Sequence, residues 1–522
     1  MATPFTLTTA ISYPNGRPHI GHAYEAIATD AIARFQRMAG RDVFFQTGTD
    51  EHGLKMDQAA RARGVEPRAL ADEMSGHFRQ MDDVLNISYD RFIRTSEPAH
   101  HKASQAIWQA MEANGDLYLG RYEGWYSVRD EAFYDEKELI EGEGGQKLSP
   151  QSTPVEWTVE ESWFFRLSKY QQPLLDLYAA QPDFIRPDSR RNEIMRFVEG
   201  GLSDLSVSRT SFDWGVKVPG SDGHVMYVWV DALTNYLTGA GYPDDPDRMA
   251  RYWAEGRDIV HIIGKDIVRF HAVYWPAFLM SAKLPLPTQV FGHGFLLNRG
   301  EKMSKSVGNV ADPLELAARF GVDQLRYFLL SEVNFGSDGS YSAEAIVQRA
   351  NSDLANSFGN LAQRTLSFIA KNLEGVPPAG GTADPADAEL LALVGKAGVD
   401  FAAAMTDLAP SQAIEAWMRA VFACNAYIDT HAPWALRKTD TARMTAVLAT
   451  LYEAIGNLAI IIQPVIPTSA ASLLNQIGMP ADARGHDVIG SGWYAALCGS
   501  GFILSPPKPL FPRLDIPTEA DA

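Results

Sequence analysis

The sequence predicts an α/β fold: a doubly wound parallel sheet, split by an inserted module and followed by an all-helical domain. Three observations predict it. A short apolar strand near the N-terminus is followed by turn residues, an amphipathic helix and a second strand. The same strand-to-helix pattern recurs from Asp258, after a stretch of different composition. From about residue 342 strand signals vanish and alanine-rich helical periodicity takes over.

The elements follow in order. Phe5–Ile11 is rich in Thr and apolar residues, as a strand is. Ser12-Tyr13-Pro14-Asn15-Gly16 is turn chemistry. From His19, residues Ile20, Ala23, Ile27, Ala31, Phe35 and Met38 recur every three or four positions, and Gly40 suits the C′ position of that helix. Val43–Phe45 is the next buried strand, which completes a parallel, right-handed βαβ unit. Residues 116–226 are rich in aromatic, acidic and turn residues, with Asp130–Glu143 strongly acidic and Gly142–Gly145 an exposed turn. They read as an inserted mixed module. Ile259–Ile263 is an apolar run suited to a strand covered on both faces, and Gly264 breaks it before another helix. After Leu297 the chain turns at Asn298-Arg299-Gly300 into a lysine-bearing loop. Asp312 then caps a helix with Pro313 at its first position and Gly321 just past its end. Helices are expected over Ala343–Asn372, Ala386–Met405, Ser411–Thr430 and Thr441–Ile462, without the fixed period of a solenoid. The tail after Pro506 is proline-rich and extended.

Composition narrows the function classes. A chain of 522 residues exceeds one ordinary core, so two to four domains are expected. Lys plus Arg total 46 against 64 for Asp plus Glu, a formal charge of −18, which argues against a polycation coating nucleic acid. An RNA gripped by local basic patches stays open. Arg186, Arg190, Arg191 and Arg196 form one such cluster, which surface ion pairing explains equally well. With only Cys424 and Cys498, a disulfide framework and a four-cysteine zinc site are excluded. Met1-Ala2-Thr3-Pro4 lacks the pattern of a signal peptide, and the apolar run Leu458–Ile466 is broken by Gln463 and Pro464. A cytoplasmic protein without a membrane span is expected.

Two distant strings carry the chemistry. Pro18-His19-Ile20-Gly21-His22 opens the first helix. A helix N-terminus offers unpaired N–H groups and partial positive charge, which suits phosphate. His19 and His22 can donate hydrogen bonds to phosphate oxygens, and Gly21, lacking Cβ, lets an adenine ring lie against the backbone. Lys302-Met303-Ser304-Lys305-Ser306 lies between Gly300 and Gly308. Its ammonium groups, on flexible stems, can follow β- and γ-phosphates as a loop closes and reopens. The plain alternatives are a helix that happens to carry two histidines and a solvated basic turn. Together the strings can hold a nucleoside triphosphate from both ends, an arrangement suited to attack on its α-phosphate.

The pair resembles the two signatures of class I aminoacyl-tRNA synthetases, and its details resemble the methionyl-tRNA synthetase family. The likeness extends through Tyr13–His22, Thr49-Asp50-Glu51-His52-Gly53, Tyr227–Ala232 and Ile263–His271, and runs from residue 5 to about 435. It implies a Rossmann-like catalytic domain in two halves, 1–115 and 227–297, with a connective module at 116–226. A lysine-loop region at 298–341 and an anticodon-binding helical domain with extended tail at 342–522 would follow.

It also implies a two-step reaction on L-methionine, ATP and tRNA(Met), the initiator included. Methionine attacks the α-phosphate of ATP to give methionyl-adenylate and pyrophosphate, with Mg²⁺ carried by the triphosphate; the acyl group then passes to the tRNA. By resemblance His19, His22 and Lys305 contact phosphates, Lys302 assists, and Gly21, Gly264 and Asp266 complete the ATP site. The methionine set is Ile11, Tyr13, Asp50, Trp229, Ala232, Leu233, Tyr236, Ile267 and His271. Leu233 departs from members that have proline there. Asp50 suits the substrate ammonium, and Tyr13, Trp229 and Tyr236 offer aromatic surfaces to a thioether. Taken alone, Trp229 and Tyr236 read as core sooner than as a binding surface, and His271 as a satisfied core histidine. Asn360, Arg364 and Trp434 match the family's anticodon readers, since Asn and Arg can read an unstacked base edge and Trp can stack on one. Trp434 could instead plug a helix junction.

Many members carry a zinc knuckle in the inserted module. This chain has no cysteine before Cys424, so no structural zinc is expected there; packing of Trp125, Tyr126, Phe133, Trp157, Trp163 and Phe164 would hold the module instead. The chain ends soon after the helical domain, so a monomer is expected. The rival readings are a class I synthetase for leucine, valine or cysteine, a small nucleotidylyltransferase, and a non-catalytic RNA-binding relative.

Overall fold

The computed structural model describes residues 2–129, 132–298, 300, 311–380 and 384–515. The lysine string, with Lys302 and Lys305, lies outside the described residues.

Six parallel strands form the central sheet, in the order Arg91–Arg94, Asp42–Thr49, Pro4–Thr9, Asp258–Gly264, Gln289–His293 and Ile185–Arg186. The first strand is shorter than its apolar pattern. It ends at Thr9; Ala10 N–H still donates to Ile262 O at 3.1 Å, after which Ile11 leaves the ladder toward the cavity described below. The second strand is longer than Val43–Phe45 because its burial continues to Thr49. Between them runs the helix Ile20–Met38, closed by Gly40 at φ 77°, a left-handed conformation that favours glycine. Sheet order reverses between Pro4–Thr9 and Asp258–Gly264, and ligand crevices of such sheets open at this place, beyond the strand C-termini.

Within 116–226, Leu205–Ser206, Glu156–Phe165, Leu117–Ser127 and Ala132–Tyr134 form an antiparallel sheet in that order. Trp125 meets Trp157 edge-on at 5.3 Å, and the Lys147 ammonium sits 4.3 Å from the Trp125 ring centre. Phe165 packs edge-on against Phe278 of the catalytic core at 4.9 Å. The strand Ile185–Arg186 returns to the edge of the central sheet. Two members of the arginine cluster are ion-paired, Arg186 with Asp407 and Arg190 with Glu193, both at 2.6 Å.

The helix Pro313–Phe320 is capped as its sequence suggests, with Asp312 Oδ1 accepting from Leu314 N–H at 2.8 Å. Beyond the strand Gly339–Tyr341 the described residues are helical or irregular. Ala343–Asn372 is one helical run interrupted by a π-turned segment at Ala350–Gly359. The helices Pro385–Thr406, Pro410–His431 and Thr441–Ile462 pack together, and Trp417 Nε1 donates to Leu458 O at 2.9 Å. Thr441–Ile462 is the one described helix long and apolar enough to cross a membrane, and it lies mostly buried within this bundle. The bundle is tied to the first helix by Arg326. Its guanidinium donates to Asp30 Oδ2 at 2.6 Å, Leu85 O at 3.1 Å, and Pro464 O and Val465 O at 3.0 Å. Burial alone would raise the Asp30 carboxyl; the guanidiniums of Arg326 and Arg34 overcome it and hold Asp30 below the usual carboxylate range.

Candidate active site

A cavity of about 510 Å³ opens at the reversal point of the sheet. The start of the first helix lines it with His19, Gly21 and His22; Gly264, which ends the strand Asp258–Gly264, and Asp266 just after it line it as well. Ile11, Tyr13 and Asp50 come from the segments that follow the first two strands. The helix Val228–Gly239 contributes Trp229, Ala232, Leu233 and Tyr236, the turn Lys265–Ile267 contributes Ile267, and the π-turned segment Phe270–Tyr274 contributes His271. Every residue named above for ATP or methionine, within the described residues, therefore lines one cavity.

The helix start fixes the state of both imidazoles. His19 is the N-cap; Gly21 N–H donates to its Nδ1 at 3.1 Å, and His19 N–H donates to His22 Nδ1 at 3.1 Å. A ring nitrogen that accepts carries no proton, so each neutral ring bears its N–H at Nε2. Both histidines are thus set as donors. Gly21 has a further role that its lack of Cβ does not announce: a Cβ there would lie 2.9 Å from the His19 ring, so glycine is what lets His19 fold back as the cap.

On the amino-acid side, Trp229 stacks on Phe270 at 3.7 Å with planes 7° apart. His271 Nδ1 lies 3.0 Å from Ile267 O, which can only accept, so Nδ1 bears the proton and Nε2 accepts from the Tyr236 hydroxyl at 2.7 Å. Burial pushes His271 down to about 4, which keeps it neutral, and pushes the Tyr236 phenol up. His271 is thus a satisfied buried histidine and a cavity wall at once. Tyr13 accepts from Met56 N–H at 2.9 Å, while Asp50 is buried with its N–H donating to Ser12 O at 2.9 Å.

Several lining residues escaped the sequence reading. Glu25 Oε2 meets His293 Nε2 at 2.8 Å, and His293 Nδ1 meets Gly294 O at 2.8 Å. Burial raises the Glu25 carboxyl; for His293 burial would lower the ring, and Glu25 reverses this and raises it. Glu25 lies one helical turn from His22, and His293 stands between two glycines at the end of an apolar strand; both signals were readable. Arg129, Tyr134 and Gln151 reach the cavity from the inserted module, which only the tertiary fold reveals. Among the described residues no group of three or more His, Cys, Asp or Glu side chains is placed to hold a metal ion.

Asn360, Arg364 and Trp434 lie in the helical domain. Asn360 and Arg364 are one turn apart on the helix Asn360–Asn372, with Arg364 paired to Asp429 at 2.8 Å and its guanidinium carbon 5.2 Å from the Trp434 ring centre. Trp434 is 44% exposed, so it is not a buried junction plug.

A model of the family described as tRNA synthetases class I (M) matches residues 5–366, and one described as the anticodon binding domain of methionyl tRNA ligase matches residues 376–515. The methionine–tRNA ligase of Brucella suis biovar 1 is 60% identical over 510 residues, covering 98% of both chains. That of Mesorhizobium japonicum is 57% identical over 509 residues, covering 98% of this chain and 97% of the relative. The solved structure of Mycobacterium tuberculosis methionyl-tRNA synthetase in complex with methionyl-adenylate matches with a TM-score of 0.93 at 54% identity, covering 98% of this chain and 100% of that one. With the sheet, the cavity and the helical domain already in place, these matches establish that the chain belongs to the class I tRNA synthetases, in their methionine group.

Proposed function

We propose that this chain is a methionine–tRNA ligase, which activates L-methionine with ATP and transfers the methionyl group to tRNA(Met), initiator included. A methionine carboxylate oxygen attacks the α-phosphorus, the bond to the β-phosphate breaks, and pyrophosphate leaves. A terminal ribose hydroxyl of the tRNA then attacks the methionyl carbonyl, and AMP leaves. No covalent enzyme intermediate is required; the protein positions the reactants and stabilises charge.

His19 and His22 donate their Nε2 protons to phosphate oxygens as negative charge develops. Gly21 meets the adenosine, with Gly264 and Asp266 across the crevice. Lys302 and Lys305 take the β- and γ-phosphates, and Mg²⁺ enters as part of the ATP substrate. Asp50 pairs with the methionine ammonium. Trp229, Tyr13 and Tyr236, with Ile11, Ala232, Leu233, Ile267 and His271, enclose the thioether side chain. Asn360, Arg364 and Trp434 read unstacked anticodon bases. The protein acts as a cytoplasmic monomer, with residues 1–115 and 227–297 as the catalytic halves, 116–226 as the connective module, 298–341 as the lysine-loop region and 342–522 as the tRNA-reading domain.

The observation that carries this reading is the single cavity that gathers the nucleotide and amino-acid residue sets. Amino-acid-dependent ATP–pyrophosphate exchange tests it. Exchange driven by methionine and not by leucine, valine or cysteine is expected. Exchange driven by one of those others would overturn the substrate, and no exchange with any amino acid would favour a non-catalytic RNA-binding protein.

A further inference from the structure

The helix Val228–Gly239 shows one face to the cavity and carries on its other face a buried polar network that the chemistry above does not use. Asp231 lies at its centre, between two imidazoles. His52 Nδ1 is 2.6 Å from Asp231 Oδ2, and His100 Nε2 is 2.7 Å from Oδ1. The Asp231 side chain is fully buried, and so is that of His100. His100 Nδ1 lies 2.9 Å from Thr238 Oγ1, about two turns farther along the same helix. One turn after Asp231, Asn235, which itself lines the cavity, accepts through Oδ1 from Gln46 Nε2 at 2.7 Å. Burial alone would raise the Asp231 carboxyl, but the two imidazoles outweigh it and hold the group ionised. Each carboxylate oxygen therefore accepts one imidazole N–H.

The connectivity matters because of three consecutive residues. Asp50 faces the cavity, Glu51 turns away to Arg94 at 2.6 Å, and His52 reaches Asp231. The Asp231–His52 bond thus joins the segment that carries Asp50 to the helix that carries Trp229 and Tyr236. Those two walls are the ones that must grip the ammonium and the thioether of one amino acid.

We propose that Asp231 is a positioning residue of the amino-acid subsite: through His52 and His100 it sets the separation of Asp50 from the Trp229–Tyr236 wall, and with it the length of side chain accepted. The inference rests on the methionine-activating function proposed above. A carboxylate suits the task because it accepts on both oxygens. Asparagine offers one acceptor and turns an NH₂ toward the second imidazole N–H, so one bond is lost in a buried place.

Steady-state ATP–pyrophosphate exchange with the full chain tests it. In Asp231→Asn, KM for methionine rises about tenfold or more, while kcat stays within about threefold and KM for ATP within about twofold. Discrimination between methionine and its analogues one methylene longer or shorter narrows. His100→Ala shows the same split, and His100→Gln, whose amide N–H reaches where Nε2 stands, restores most of it. If Asp231→Asn does not fold, the two His100 variants carry the comparison. Parallel rises in both KM values, a fall in kcat alone, unchanged parameters, or a His100→Gln variant no better than His100→Ala would overturn the proposal. Absence of methionine-dependent exchange in the unsubstituted protein would overturn the functional reading and this inference with it. A normal parent with an unshifted variant overturns this inference alone.

Discussion

Tyr236 and His271 share one proton-ordered contact: the phenol donates to Nε2 at 2.7 Å because the opposite ring nitrogen is already committed to the Ile267 carbonyl. Tyr236→Phe would leave a buried imidazole acceptor unpaired, at a cost of about 1–3 kcal/mol. The expected outcome is a several-fold rise in KM for methionine in pyrophosphate exchange, with KM for ATP unchanged.

The same ring gives a pH dependence. Burial holds His271 at about 4 in the folded chain, below its ordinary value of 6.5. Between those values the unfolded chain binds the extra proton, so this group contributes stability that is present above pH 6.5 and is lost as pH falls toward 4. Denaturant titrations of the parent and of His271→Gln across this window check it. The variant should show the shallower loss of stability.

Gly21→Ala would set a methyl 2.9 Å from the His19 ring and displace the cap. A loss of about tenfold or more in exchange kcat/KM for ATP is expected, with little change in melting temperature, because the helix keeps its buried face.

Arg326→Ala would break a fully buried ion pair with Asp30 of the first helix, leaving Arg34 as that carboxylate's remaining guanidinium and taking the donor from Leu85 O, Pro464 O and Val465 O. Breaking such a pair from one side costs about 3–5 kcal/mol, which a fall in the denaturation midpoint would reveal.

Trp434→Ala should separate the two steps of the reaction. Methionine-dependent exchange is expected to stay within about twofold, while aminoacylation kcat/KM for tRNA(Met) falls about tenfold, the scale of one lost base stack. Equal loss in both assays would place Trp434 in the fold rather than at the RNA.

Much of this architecture was legible because local and tertiary signals agreed. The turn at Ser12–Gly16, the three-and-four spacing after His19 and Gly40 define one helix between two strands, and the structure builds that helix from Ile20 to Met38. The cap at Asp312 and the four long C-terminal helices were equally readable. Strand ends were less so, because Ile11 is apolar for the cavity and not for the ladder. Partnerships between distant residues left no local trace. Asp231 reads as an ordinary helical carboxylate until His52 and His100 are brought to it, and Arg129 belongs to the cavity only once the inserted module folds over it.

Rapid mixing of the protein with ATP labelled at the α-phosphate and one amino acid at a time tests the central claim most directly. With methionine, close to one labelled aminoacyl-adenylate per chain and an equal amount of pyrophosphate should form before any tRNA is added. Adenylate formed with leucine, valine or cysteine instead, or none formed with methionine, would contradict the account.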